Sequence, residues 1–487
     1  MPTVNLPYHF SPRSYQWEVF EAWDRGVRRF LEIWHRRAGK DKTLLNFMVE
    51  RMLERKGNYV HLFPLKTQAR RVIWQGIDRN GQRYIDHFPP ELVWHTPNEQ
   101  EMRITLIDPL NPSQPGSTYN LLGADKDTNV LVGSNPMGII LSEYPLMNPR
   151  AWELTRPILT ENKGWAAFVY TTRGKNHGFS LYRQVKDNPT WHVSLLTVEM
   201  TRRDGVGEDG TPVITQEDIE ADRAEGMSEA DIQQEYYCAW ETPIPGAIYG
   251  DAIRDAYAEN RIGSVGMIPG YAVRTCWDLG YWDTTAIWFF QMIPGADGLP
   301  WYHFLDYRED SLKALGHYVK LVRELNYPYD DGGREWHYAP HDARQHELGY
   351  GKTVETIAME PVELTDGRKV PGLAMHVVER GSVHVGIEAT RVMLRRCRFD
   401  VDRCELGLSA LASYIYEWDE RLKQWTKDPL HNWASHGADA LRTGVMGVVA
   451  ARGRQTPLAP GGSFAWAREQ ARRARQGRGV GSFKVGI

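Results

Sequence analysis

Gly39-Lys40 is the first place in the chain where residue types and spacing point to chemistry. A phosphate site needs backbone N–H groups at a helix start, a glycine that lets the anion approach, and a lysine that reaches its outer oxygens. Gly39-Lys40, followed by the helical period of Leu44, Leu45, Met48, Val49, Met52 and Leu53, offers all three. It is not the full G-x-x-x-x-G-K-[ST] pattern, because Trp34 stands where the first glycine belongs and Asp41 where the hydroxyl residue belongs. On these residues alone a nucleotide site and a plain strand-to-helix turn both stay open. A carboxylate at the end of a buried neighbouring strand, needed to orient water near a terminal phosphate, is supplied by Gly138-Ile139-Ile140-Leu141-Ser142-Glu143. The order Lys40, Glu143, then a strand ending in Thr171-Thr172-Arg173-Gly174 is that of a complete ATPase core. Arg36 and Arg37, one turn from the phosphates, are placed to neutralise transition-state charge.

A second group of acids lies in the C-terminal half. Nucleases that use two metal ions hold them about 4 Å apart with carboxylates gathered from separate strands and helices. Asp278 closes a strand-like run within Thr275-Cys276-Trp277-Asp278-Leu279-Gly280, Asp342 follows the run Trp336 to Ala339, and Asp439 falls on a helical pattern within His436-Gly437-Ala438-Asp439-Ala440-Leu441-Arg442. Asp283, five residues after Asp278 across a turn, is a fourth candidate. Taken singly, each acid is equally an ordinary turn or cap residue. Hard magnesium or manganese prefers oxygen donors, so His341 and His436 are expected to hydrogen-bond to the acids and not to bind zinc.

The elements that must carry these residues follow from periodicity and punctuation. Ser11-Pro12 starts a helix through Tyr15, Val19, Ala22 and Trp23; Phe30 to Trp34 reads as a strand; Asp41 to about Arg55 is an amphipathic helix closed by Gly57. Tyr59 to Phe63 is the next strand, with a helix around Thr67 to Ile77, so strands alternate with helices and a parallel sheet is expected. Residues 79–135 give weak signals. Met137 to Leu141 and Trp165 to Thr171 are further strands, and Ser228-x-x-Asp231 caps a helix over Ile232 to Trp240.

Past Pro243-Ile244-Pro245-Gly246 the pattern changes. Val273 to Trp277, Thr284 to Met292 and Trp301 to Tyr307 are consecutive strands, then a helix has Leu312, Leu315, Val319, Val322 and Leu325 on one face, and Trp336 to Ala339 is another strand. Consecutive strands joined by short turns predict antiparallel pairing in a mixed sheet. The expected division is 1–242, 243–451 and a tail, 452–487, that has eight basic residues against Glu469 as its one acid.

Composition narrows the class. A chain of 487 residues holds two large domains or three smaller ones. With 58 Lys and Arg against 62 Asp and Glu, the net charge of −4 argues against a protein that coats nucleic acid, while leaving room for a local basic channel. The cysteines at 238, 276, 397 and 404 lack C-x-x-C spacing, which suits a reduced intracellular compartment. No basic stretch before an apolar core opens the sequence and no apolar run approaches eighteen residues, so neither a leader nor a membrane span is expected.

Taken in order, the motifs resemble those of the large terminase subunits of tailed bacteriophages, over roughly residues 10–450. Tyr15-Gln16 is similar to the family's adenine-recognition motif, Arg36-Arg37-Ala38-Gly39-Lys40-Asp41 to its variant phosphate loop, and Thr171-Thr172-Arg173-Gly174-Lys175-Asn176 to its coupling motif. Gly138 to Tyr144 with Pro149 and Trp152, Trp277-Asp278-Leu279-Gly280 and Ser435 to Arg442 complete the likeness. The resemblance implies an α/β protein with an N-terminal RecA-like ATPase, mostly parallel, and a C-terminal RNase H-like nuclease with a mixed sheet. It implies that Lys40 binds the β- and γ-phosphates, that Glu143 activates water, and that Arg36 is an in-chain arginine finger. Gln16, Arg37, Gly39, Asp41, Lys42 and Thr43 would complete the ATP site, Thr171 and Thr172 would couple hydrolysis to movement, and Asp278, Asp342 and Asp439 would hold the nuclease metals. The implied cofactors are ATP with Mg2+ and a pair of Mg2+ or Mn2+ ions. The implied partners are double-stranded DNA, a portal protein and a small terminase subunit, with the chain monomeric in isolation, a homo-oligomeric ring on the procapsid, and located in the host cytoplasm. The basic tail would dock on the portal or contact DNA phosphates. Two departures stand out: Ser142 replaces the usual acid before the glutamate, so that Asp41 or Thr43 must compensate directly or through water, and Asn432 stands where relatives often have Asp. Two other readings remain beside this one: a helicase-like repair or recombination ATPase with a non-catalytic DNA-binding second domain, and a nucleotide-regulated scaffold.

Overall fold

The structure, a computed structural model, describes residues 5–124, 130–203, 210–280, 284–344, 352–419, 421–422 and 424–453. Asp283 and the expected basic tail beyond residue 453 lie outside the described residues. Helix α1 (Ser14–Asp24) buries Tyr15, Val19, Phe20 and Ala22. Strand β1 (Arg29–Trp34) is buried from its second residue on, which is what a near-continuous apolar run with both faces covered requires. Its side chains divide by the two-residue period: Phe30 and Trp34 enter one core, Leu31 and Ile33 the other. The helix α2 (Lys40–Glu54) and strand β2 (Asn58–Phe63) follow as expected. The helix expected around 67–77 is instead one α-turn, Lys66–Ala69, continued by a π-helical stretch, Arg70–Trp74.

Residues unassigned from sequence contain β3 (Arg103–Ile107) and β4 (Pro115–Gly123), paired antiparallel. Then come β5 (Pro136–Ser142), β6 (Trp165–Tyr170) and β7 (Trp191–Leu196). The sheet order is β3-β4-β2-β5-β6-β1-β7, parallel except at β3. β1 is thus flanked by β6 and β7 with β5 one further out, the strand order of a RecA-like domain, and the carboxyl ends of β1, β5 and β6 meet at one edge. The helix expected to reach Trp240 stops at Glu235, after which Cys238 takes a left-handed φ of 54°.

The second sheet is built from β8 (Ile262–Gly263), β9 (Val273–Asp278), β10 (Thr284–Pro294), β11 (Pro300–Ser311) and β12 (His337–Ala339). A small hairpin, β13 (Val362–Glu363) and β14 (Lys369–Val370), stands apart, and β15 (Met375–Val377) and β16 (Cys397–Asp400) complete the sheet in the order β15-β12-β9-β10-β11-β16-β8. The meander β9-β10-β11 is antiparallel, while β12 runs parallel to β9 and β15 parallel to β12, which is RNase H-like topology. Both faces are again covered: Ala286, Trp288 and Phe290 point to one core, Ile287 and Phe289 to the other. The 21-residue helix Trp433–Gly453 lies on the first of these faces, against β9 and β10. Gly437 and Gly444 let it settle flush, since a Cβ at Gly444 would come within 2.6 Å of Cys276 Cβ.

The two halves touch beside their chemistry. Arg150, opening the helix Arg150–Glu161, donates to Asp310 Oδ1 (3.1 Å) and Ser311 Oγ (3.1 Å) at the end of β11. The His177 ring meets the Trp433 ring edge-on at 5.6 Å. Among the described residues no helix is long and apolar enough to cross a membrane.

Candidate functional site

The loop after β1 turns in five residues. Arg37 and Gly39 both take left-handed φ values, 70° and 87°, so the chain folds back and delivers Lys40 to the first turn of α2. No side chain caps that helix, so its leading N–H groups face the loop mouth, the requirement for an anion. Behind the loop, Tyr15 Oη and Gln16 Nε2 both donate to the Ala38 carbonyl, at 2.8 and 3.0 Å, while Gln16 Oε1 accepts from the Arg13 N–H. Gln16 is 2% exposed with both ends of its amide engaged. Here it braces the loop.

Lys40 Nζ donates to Thr171 Oγ1 at 2.8 Å and lies 3.9 Å from Glu143 Oε1. Thr171 in turn donates to the Trp34 carbonyl at 3.1 Å, tying the ends of β6 and β1 together through the lysine's partner. Thr172 donates to the Gln234 carbonyl at 3.3 Å. Lys42 turns away, paired with Asp78 at 2.6 Å, and Thr43 Oγ1 donates to the Gly39 carbonyl of its own helix at 3.0 Å. Arg37 is exposed at the turn.

Glu143 follows β5 in a left-handed conformation, φ 55°, that turns its carboxyl toward Lys40. Its Oε2 is buried without a hydrogen-bond partner. Burial raises its pKa; the positive charges of Lys40 and Arg173 oppose that rise, and Asp41 and Glu235 reinforce it. Arg173 donates to Glu235 Oε1 at 2.5 Å, and Arg36 Nη1 reaches Glu235 Oε2 at 3.4 Å, so one carboxylate holds two arginines at the edge of the site. Burial raises the Glu235 pKa, and the two guanidinium groups more than offset this, leaving it below the ordinary value. Arg36 is 60% exposed and Arg173 15%, so of the two Arg173 is the better-anchored cation near Glu143. Sequence reasoning passed over Glu235 and gave Arg173 no role. The signal available was Arg173 itself, a cation directly after the two threonines of the coupling strand.

Asp41 and Ser142 meet. Ser142 Oγ donates to Asp41 Oδ1 at 2.8 Å, His61 Nε2 lies 2.9 Å from Ser142 Oγ, and Tyr119 Oη 3.0 Å from His61 Nδ1. Burial pushes His61 down to about 4, so this ring is neutral near pH 7.

In the second domain, Asp278 at the end of β9 is held by His436 Nδ1 at 3.1 Å. Burial raises its pKa; the hydrogen bond from His436 opposes this, and the neighbouring charges of Asp439 and Asp342 add to it. Asp439 Oδ1 accepts from Tyr414 Oη at 3.0 Å and Arg442 Nη2 at 3.0 Å. Asp342, in the short helical turn His341–Arg344 after β12, has Oδ1 buried with no hydrogen-bond partner. The charges of Asp342 and Asp439 reach Asp278 from two other elements, yet among the described residues no three His, Cys, Asp or Glu side chains close into a metal cage. The expected convergence is corrected to that extent: Asp278 is tied to His436 and Asp439 to Tyr414 and Arg442. The donor chemistry still suits a hard cation, because the charges of Asp342 and Asp439 act on the desolvated Asp278 carboxyl and one buried oxygen of Asp342 lacks a proton donor. A further acid was not found from sequence. Glu309 on β11 lies in register with Ala286 and, through it, with Asp278, so all three share a sheet face; Tyr307 Oη donates to it.

No protein-family model and no curated protein matches the chain. Among the solved structures it resembles are large terminases. The large terminase of a thermophilic bacteriophage in complex with ADP is similar over 89% of this chain and 98% of its own, at 14% identity and a TM-score of 0.38. The large terminase ATPase domain of Thermus phage P74-26 matches 47% of this chain and 94% of its own, at 17% identity and a TM-score of 0.35. The large terminase nuclease of thermophilic phage G20c, with bound cobalt, matches 42% of this chain and 98% of its own, at 8% identity and a TM-score of 0.27. Identities are low throughout, and the fold assignment rests on the strand orders given above.

Proposed function

We propose that the chain is a large terminase subunit: an ATPase that drives double-stranded viral DNA through a portal into a procapsid, and a metal-dependent endonuclease that cuts concatemeric DNA. The observation that carries this reading is the joining, in one chain, of two sites. Lys40, Glu143 and Arg173 meet at the carboxyl edge of a RecA-ordered sheet, and at an RNase H-ordered sheet the charges of Asp342 and Asp439 act on Asp278 at the end of β9.

In the first site the N–H groups opening α2 and the Lys40 ammonium bind phosphate oxygens. The free Oε2 of Glu143 accepts a hydrogen bond from the attacking water, and the carboxyl's raised basicity favours taking its proton. Arg173, with the more exposed Arg36, offsets charge that builds on the transferred group. In the second site Asp278, Asp342 and Asp439 would hold Mg2+ or Mn2+, which when bound would supply Lewis-acid chemistry toward the scissile phosphate and water. His436 keeps Asp278 oriented. The portal, the small subunit, a ring of copies and residence in the host cytoplasm belong to the same proposal.

Two variants separate the halves. Lys40→Ala is expected to abolish ATP turnover with plasmid cleavage retained, and Asp278→Asn to abolish Mg2+- or Mn2+-dependent cleavage with ATP turnover retained. Undiminished cleavage by Asp278→Asn would overturn the nuclease assignment in favour of a helicase-like ATPase, and absence of ATP turnover in the parent would overturn the motor.

A further inference from the structure

Asp41 and Ser142 occupy positions at which a phosphate-loop ATPase ordinarily carries the opposite pair. In the usual arrangement the residue after the loop lysine is a Ser or Thr, the strand-end residue is an acid, and the two hold the magnesium that accompanies the nucleotide. Here the acid follows the lysine and the hydroxyl ends the strand, and the two side chains are hydrogen-bonded at 2.8 Å although 101 residues apart. The contact is the end of a directed chain. Ser142 has one proton, and it goes to Asp41; its oxygen therefore accepts from His61 Nε2–H, and the ring's other nitrogen, unprotonated, accepts from the Tyr119 hydroxyl. Tyr119 on β4, His61 on β2 and Ser142 on β5 are each fully buried, and this arrangement gives each a partner in a place where an unpaired polar group is costly. Three adjacent strands thus support one carboxylate in the first turn of α2, where a negative charge is also favoured by the helix dipole.

The neighbouring alternatives are engaged elsewhere. The Thr43 hydroxyl donates back to Gly39 within its own helix and is fully buried, and the Lys42 ammonium is held by Asp78. Asp41 is only partly buried at the loop mouth, and its second oxygen lies outside the bond to Ser142.

We propose that hydroxyl and acid have changed places: Asp41 is the carboxylate that serves the nucleotide's magnesium, and Ser142 is its positioning residue, held by His61 and Tyr119. This rests on the ATPase reading above. The test is the binding of a fluorescent ADP analogue to the full chain with Mg2+ and with EDTA, a readout separate from turnover. Asp41→Ser is expected to lose ten- to hundredfold of the Mg2+-dependent tightening, with binding in EDTA unweakened. The reciprocal double variant Asp41→Ser with Ser142→Asp is expected to recover most of it. Ser142→Ala, which keeps the carboxylate and loses its support, is expected to fall between parent and Asp41→Ser. An unchanged Mg2+ effect in Asp41→Ser overturns the carboxylate's role, and a parent-like Ser142→Ala overturns the positioning. A double variant that melts like the parent yet binds like Asp41→Ser overturns the exchange. A parent that binds no nucleotide under either condition removes the ATPase reading and this inference with it.

Discussion

Glu235→Gln is the substitution whose outcome depends most directly on the geometry at the candidate nucleotide site. The change keeps the side chain's shape but removes the charge that holds Arg173 at 2.5 Å and Arg36 at 3.4 Å. Breaking a fully buried ion pair costs about 3–5 kcal/mol. Water reaches both ends of this one, with Glu235 10% and Arg173 15% exposed, so a cost of about 2–3 kcal/mol is the appropriate scale. For a domain of this size each kcal/mol moves the melting temperature by about 2–4 °C, so the first expectation is a loss of roughly 4–12 °C by circular dichroism. The second is chemical. Glu235 raises the Glu143 pKa and Arg173 lowers it, so removing the Glu235 charge shifts Glu143 downward and moves the acid limb of the kcat/KM profile to lower pH. Arg36→Ala is the control, because its guanidinium is 60% exposed and its loss should cost under about 1 kcal/mol. A Glu235→Gln protein that melts within a degree of the parent and keeps the same acid limb would refute the idea that this carboxylate organises the site.

Two further expectations concern His177 and Gly39. His177 is pushed down to about 4 by burial, whereas the unfolded chain takes up that proton from about 6.5 downward. Its neutral ring therefore contributes fully above pH 6.5, and up to about 3 kcal/mol is lost as pH falls toward 4. His177→Gln should flatten the acid limb of a urea-denaturation series over that window, and an unchanged slope would dismiss the assignment. Gly39→Ala places a Cβ in a left-handed position 2.9 Å from Gln16 Nε2, at a cost of about 1–2 kcal/mol. A lower melting point with weaker nucleotide binding is expected, and parent-like values for both would show that the loop has more freedom than its φ of 87° implies.

What the sequence made legible was whatever a local run of residues could encode. Buried strands announce themselves by unbroken apolar stretches, so the residues at their ends, Glu143 and Asp278, could be placed before any coordinates. The loop at Gly39-Lys40 was legible because a glycine and an amphipathic helix sit side by side in sequence. The hairpin β3-β4 was not, because its strands alternate only over short stretches, Arg103–Ile107 and Pro115–Gly123, set among polar, proline- and glycine-rich residues. Glu235 was hidden inside a helix whose apolar pattern ran on to Trp240, while the backbone actually turned at Cys238. The bond between Asp41 and Ser142 could not be read at all: it depends on which strand lies beside which, and the spacing along the chain says nothing of that. For the same reason, although His436 could be expected beside the C-terminal acids, Asp439 could not be seen to be held by Tyr414 and Arg442.

The helix Trp433–Gly453 has a consequence for anyone who wishes to recombine the two halves with those of other proteins. It is a bar about 30 Å long, seated by its glycines on the second sheet, and its leading tryptophan rests on a histidine of the first domain. That histidine donates from Nε2, at 2.8 Å, to the backbone carbonyl of Tyr144, the residue after the candidate water-activating glutamate. A graft that keeps every acid but replaces either aromatic member of this joint would leave two sound modules with an altered contact between them, so compatibility between donor halves is decided at two rings as well as at the candidate site residues.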